Sequence, residues 1–103
     1  MNDEDATAEA PQVFTLKQNL PNPFNPATTI GFALRKSSQV SLKVYDLLGR
    51  EVVTLANGEK SAGEHRVIWN GSDNSGKQVS SGVYLYRLIA GGREETRKML
   101  LAR

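Results

Sequence analysis

Thr28-Thr29-Ile30-Gly31-Phe32-Ala33-Leu34, then the polar Arg35-Lys36-Ser37-Ser38, then Val40-Ser41-Leu42-Lys43-Val44-Tyr45 is the stretch that decides the fold. In the first run Thr28, Ile30, Phe32 and Leu34 fall on one face and Thr29, Gly31 and Ala33 on the other. In the second, Val40, Leu42 and Val44 alternate with Ser41, Lys43 and Tyr45. Strict period-two alternation marks strands that bury one face only. Connections this short along the chain favour antiparallel pairing, since parallel neighbours need long crossovers.

The same grammar continues outward. Asp46-Leu47-Leu48-Gly49-Arg50 reads as a turn, with Gly49 supplying positive φ. Glu51 to Leu55 reads as a strand, Ala56-Asn57-Gly58-Glu59 as a turn, and Gly63 to Trp69 as a strand with His65, Val67 and Trp69 on one side. Asn70 to Lys77 is the longest loop. Gly82 to Ile89 and Glu94 to Leu101 form a last hairpin about Ala90-Gly91-Gly92-Arg93. Upstream, Val13 to Leu20 is extended, with Phe14 and Leu16 on one face. It runs into Leu20-Pro21-Asn22-Pro23-Phe24-Asn25-Pro26, whose prolines forbid a helix and remove backbone donors, with Phe24 set to plug the core. About seven short strands, punctuated by turns and without any sustained helical period, predict an all-β antiparallel sandwich of two sheets.

At 103 residues, 39% hydrophobic and 23% charged, the chain suits one soluble domain. Residues 1–12 read as an acidic, disordered linker or tail to which an upstream domain would join, and 13–103 as the folded module. Residues 2–10 are acidic where a signal peptide would be basic and then apolar, so an export signal is expected elsewhere in a larger parent chain. The absence of cysteine excludes disulfides and thiolate metal sites. Asp3, Glu4, Asp5 and Glu9 lie in the first ten residues, so the rest, with 13 basic and 7 acidic residues, carries net +6. These basic residues are spread out rather than interleaved with exposed aromatics, against a nucleic-acid site.

Catalytic constellations are sparse. His65 is the single histidine, and it sits in a strand pattern with no nucleophile elbow in the chain. The carboxylates lie in or beside turns, where solubility alone places them. Gly71-Ser72-Asp73-Asn74-Ser75-Gly76 faintly resembles a calcium loop but lacks further acids, and a tight polar turn accounts for it. No enzyme activity, metal or cofactor is expected of this module. Tyr84, Tyr86 and Trp69 leave open a carbohydrate-binding platform, although Trp69 and Tyr84 read better as core anchors.

Four segments then stand in order. Leu20 to Ile30 (LPNPFNPATTI) resembles the opening box of the C-terminal sorting domains, type A, of the type IX (Por) secretion system. Val44 to Val52 (VYDLLGREV) resembles their Tyr-Asp-x-x-Gly-Arg segment, Gly82-Val83-Tyr84 with Tyr86 their Gly-x-Tyr motif, and Lys98-Met99-Leu100-Leu101 their lysine-plus-apolar ending. The stretch from Trp69-Asn70-Gly71 to Tyr84 also resembles the immunoglobulin-like domain of flagellar hook-capping proteins.

The resemblance implies an immunoglobulin-like sandwich at the C-terminus of a secreted protein. It would be read by an outer-membrane translocon and by a cell-surface sortase, which often removes the domain and can join the cargo to anionic lipopolysaccharide at the cell exterior. It assigns sorting recognition to Lys98, Met99, Leu100 and Leu101. Pro21, Asn22, Pro23, Phe24, Gly49, Arg50, Gly82 and Tyr84 become motif residues with structural roles. The last strand is expected to offer an exposed apolar stripe with unpaired backbone groups, flanked by a basic cluster of Arg93, Arg97, Lys98 and Arg103. A structural spacer or assembly domain is the other non-enzymatic reading.

Overall fold

The computed structural model describes residues 13–103. The linker expected over residues 1–12 lies outside the described residues. Seven strands follow in chain order: β1 Phe14–Leu16, β2 Thr28–Leu34, β3 Ser38–Tyr45, β4 Glu51–Lys60, β5 Gly63–Trp69, β6 Gly82–Ala90 and β7 Arg93–Leu101. They make two antiparallel sheets, β1-β2-β5 and β4-β3-β6-β7. The expected all-β sandwich is the observed fold.

Alternation does what the sequence promised at its centre. Thr28, Ile30, Phe32 and Leu34 are buried while their neighbours face outward. Val40, Leu42 and Val44 do the same on β3, and Tyr84, Tyr86, Leu88 and Ala90 on β6. These faces close over Trp69 and Phe24, whose rings meet at 5.5 Å, and Tyr84 meets Trp69 edge-on at 5.4 Å. The core is therefore an aromatic wedge set between two aliphatic faces, in the tilted geometries that aromatic quadrupoles favour.

Two strands differ from the sequence reading. β4 runs on through Ala56-Asn57-Gly58-Glu59, which read as a turn, to Lys60. Ala56 to Lys60 pair in unbroken register with β3, and the register shifts at Leu42/Lys43 and Val44/Tyr45 fall nearer the β3–β4 turn, as bulges do at sheet edges. β1 is only three residues long, because after Leu16 the chain turns away and rejoins β2 through a single bridge, Leu20 to Thr29.

The registers define two poles. Tyr45 pairs with Leu85 and Gly82 with Leu101, so the β3–β4 turn and the C-terminus share one end. Val13 lies at the other, where its carbonyl accepts the Arg35 N–H at 3.1 Å and its side chain covers Gly91. Nine-residue strands separate the poles by about 30 Å at ~3.3 Å per residue.

Candidate functional site

Three of the four motif segments lock onto one another at the C-terminal pole. Asn22 Oδ1 accepts the Leu100 N–H at 2.9 Å, the Phe24 N–H donates to the Leu100 carbonyl at 3.0 Å, and the Ala102 N–H donates to the Phe24 carbonyl at 3.0 Å. Gln18 Nε2 donates to the Lys98 carbonyl at 2.8 Å. The Pro21-Asn22-Pro23-Phe24 loop thus acts as a short extra strand, parallel to β7 at Phe24–Leu101. Pro21, Asn22 and Pro23 stay exposed on its surface, and Phe24 is the buried plug the sequence anticipates. Gly82 and Tyr84 lie across β7 from Leu101 and Met99.

The loop is held from beneath by a hydrogen-bonded hub. Buried Asn19 donates its side-chain amide to Pro21 O at 3.1 Å and to Thr28 Oγ1 at 2.9 Å, and Thr28 Oγ1 donates to the same Pro21 carbonyl. The Asn19 N–H donates to the Tyr86 hydroxyl at 2.9 Å, which in turn donates to the Lys17 carbonyl at 2.7 Å. Burial pushes the Tyr86 phenol above its ordinary pKa. Tyr86 therefore joins the two sheets, and its hydroxyl positions the loop rather than facing solvent.

The chain's last residue is pinned as well. Arg103 donates from Nε to Val79 O at 2.8 Å, from a terminal nitrogen to Gly71 O at 2.8 Å, and from its backbone N–H to Ser81 Oγ at 2.9 Å. Gly71 has φ +80°, and a Cβ there would stand 2.5 Å from the Arg103 guanidinium. Asn19 did not stand out in the sequence, and Arg103 did so only as one charge of a basic cluster.

The fourth segment, the β3–β4 turn, stands at the same pole. The Asp46 carboxylate accepts the Leu48 N–H at 2.9 Å, the Arg50 N–H at 3.0 Å and Arg50 Nε at 2.8 Å. The backbone bond from Arg50 is the largest cause of its lowered pKa. Gly49, at φ +86°, completes the reversal. This scaffold holds Leu47 and Leu48 in solvent, 66% and 78% exposed.

Four sequence-based expectations need correction. The ending Lys98-Met99-Leu100-Leu101 is not an exposed apolar stripe. Met99 and Leu101 are buried, and only Lys98 and Leu100 point outward, because strand side chains alternate. Nor is its backbone free: Leu100 is paired on both groups by the proline-rich loop. The basic cluster disperses, since Arg93 lies at the opposite pole and Arg97 pairs with Glu95 at 3.2 Å and donates to Leu16 O. Finally, Trp69, Tyr84 and Tyr86 offer no sugar platform, being 1%, 7% and 0% exposed.

His65 lies half-buried, stacked on Phe32 at 5.3 Å with a ring nitrogen 2.8 Å from Ser61 O. In the Asn70–Lys77 loop, Asp73 Oδ1 accepts Ser75 Oγ, Ser75 N–H and Lys77 N–H at 2.7–3.0 Å, the Ser75 hydroxyl being the chief cause of its lowered pKa. The loop thus spends its carboxylate on its own backbone. No group of three metal-ligating side chains occurs among the described residues.

This architecture recurs in known proteins. The chain is similar to dimeric latent PorU from Porphyromonas gingivalis (TM-score 0.71, 22% identity, 89% of this chain and 9% of that one). PorZ of P. gingivalis, described as an essential bacterial surface component of the type-IX secretion system, aligns at TM-score 0.59 and 24% identity over 84% of this chain and 11% of its own. FlgD from P. aeruginosa aligns at TM-score 0.53 and 27% identity over 73% of this chain and 60% of its own. The chain thus spans about a tenth of PorU and PorZ and 60% of FlgD. No curated protein sequence matches. The model of the FlgD Ig-like domain matches residues 19–92, most of the described fold, and the chain belongs to that family.

Proposed function

We propose that this module is the C-terminal signal by which a larger secreted protein is exported through the type IX system and attached at the cell surface. The observation that carries the proposal is the gathering of all four motif segments at one pole, about 30 Å from Val13, where an upstream cargo would join. Cargo and signal are then kept apart by the length of a rigid sandwich. The similarity to domains of PorU and PorZ supports the association with that system. Translocon and sortase would meet the pole's outward residues: Lys98, Leu100, the Pro21–Pro23 rim and the Leu47-Leu48 tip.

Membership of the FlgD Ig-like family supports a second reading, a non-catalytic spacer or assembly domain. One experiment separates the two. A fluorescent reporter placed upstream of the whole chain is expressed in a host with type IX machinery and in one lacking its translocon. Protease-accessible reporter at the surface of the first host only is the expected result. Reporter retained in the periplasm of both hosts would reject the sorting role and leave the spacer.

A further inference from the structure

The sandwich has four strand edges, and three are closed. The C-terminal half of β7 is covered by Gln18, Asn22 and Phe24, as described above. β4 is met at Val52 O by the Asn74 N–H and at Thr54 N–H by Asn74 Oδ1, 3.0 and 3.1 Å, and is bulged. β1 has three residues. Short, bulged or covered edges are the usual protections against strand addition.

β5 has none of them. Thr29 exchanges both backbone bonds with Leu20, and Gly31 O accepts Lys17 N–H, so the odd residues of β2 face β1. The even ones therefore bond β5 at Gly63, His65, Val67 and Trp69. Glu64, Arg66 and Ile68 turn their N–H and C=O groups away from the sheet, and among the described residues nothing meets them. The edge is seven residues long and free of proline.

What surrounds this edge is also incomplete. The three-stranded sheet is one strand narrower than its partner. The apolar side chains left partly buried include Val67 on β5 and Val52, Val53 and Leu55 on β4, the strand that leads into β5 through a two-residue turn. On the outer face, Glu64 has Lys17 at 4.0 Å, Ile68 is 68% exposed, and Arg66 has no carboxylate within 4.0 Å among the described residues.

We infer that β5 is a docking edge for an extended peptide segment of a partner protein. The segment carries apolar residues on its inward positions and an acidic residue opposite Arg66. Its backbone satisfies Glu64, Arg66 and Ile68, its inward side chains cover the flank of Val67 and His65, and its acid pairs the Arg66 guanidinium. The edge runs from the Val13 pole to the C-terminal one, includes none of the outward residues assigned to sorting there, and does not depend on the sorting reading.

The probe is a capped peptide of about nine residues alternating valine with threonine and glutamate, added to the isotope-labelled chain. Amide exchange at Glu64, Arg66 and Ile68 is expected to slow at least ~10-fold. Arg66→Pro removes an outward N–H together with the guanidinium, at a position where an edge strand tolerates proline, and should abolish the slowing at Glu64 and Ile68 with the remaining spectrum unchanged. Arg66→Glu, which leaves the backbone intact, should switch preference to the same peptide with lysine in place of glutamate. Absence of slowing at the three amides, slowing that survives Arg66→Pro, or an unswitched preference would overturn the assignment. So would protection already present in the free chain. If that protection rises with protein concentration, the edge pairs with a second copy; if not, the chain covers it itself.

Discussion

Leu100 and Leu101 are neighbours in the same strand and of the same type, yet their truncations should differ severalfold. Leu101 is fully buried, next to the Phe24–Trp69 wedge, and alanine there keeps every backbone bond of β7 while removing core volume. Buried Leu→Ala changes cost about 2–5 kcal/mol, transfer and cavity terms together. A domain the size of residues 13–103 has about 5–14 kcal/mol to lose, so Leu101→Ala removes a third or so of its stability. At ~4–8 °C per kcal/mol, a loss of ~3 kcal/mol lowers Tm by about 12–24 °C. Leu100 is 38% exposed and lies on the outer face across from Val83, so Leu100→Ala should cost less than ~1 kcal/mol. Urea denaturation followed by Trp69 fluorescence measures both, since Trp69 is the single tryptophan and is buried in the affected core. Equal losses for the two variants, or a larger one at Leu100, would refute the assigned strand parity and the buried ending built on it.

Tyr86→Phe leaves the Lys17 carbonyl and Asn19 N–H without their partner and should cost ~1–3 kcal/mol by denaturation, with faster exchange at the Leu100 and Ala102 amides as the proline-rich loop loosens. Gly71→Ala meets both a positive φ and the Arg103 guanidinium, so it should destabilise by more than ~1 kcal/mol and release Arg103; removing the side chain as well, in Gly71→Ala/Arg103→Ala, should recover only the steric part. Asp46, Glu51 and Asp73 all have lowered pKa values, held chiefly by the Arg50 N–H, the Thr54 hydroxyl and the Ser75 hydroxyl respectively. Their stabilising contribution is therefore complete above the ordinary carboxylate range and lost as pH falls through the lowered folded values. Tm should drop on acidification below about pH 4, and Asp46→Asn/Asp73→Asn should flatten that decline.

Much of the fold was legible because alternation is a local property. Ile30, Phe32 and Leu34, or Val40, Leu42 and Val44, declare their inward face within a few residues, and the turn at Asp46–Arg50 is written in its own Asp and Gly. Gly58 misled because a glycine with positive φ can sit inside a paired strand as readily as in a turn. The site was harder to see. Lys98-Met99-Leu100-Leu101 looks like a stripe when counted as apolar residues, although the same alternation rule divides it into two faces. What closes its edge is Asn22, 78 residues away in sequence, and what anchors the loop is Asn19 bonded to Tyr86, 67 residues away. Polar contacts of that span leave no periodic trace. Arg103 reads as one member of a basic cluster until the carbonyls of Gly71 and Val79 are brought to it.

The most direct test of the account is surface delivery of an upstream reporter by the double variant Lys98→Ala/Leu100→Ser, alongside the unaltered chain. Both replaced side chains face outward, so the two proteins should agree in unfolding free energy to within ~1 kcal/mol. Delivery is predicted to fall at least ~10-fold. Undiminished delivery by a variant that folds equally well would contradict the claim that the outward residues of the C-terminal pole are what the export machinery reads.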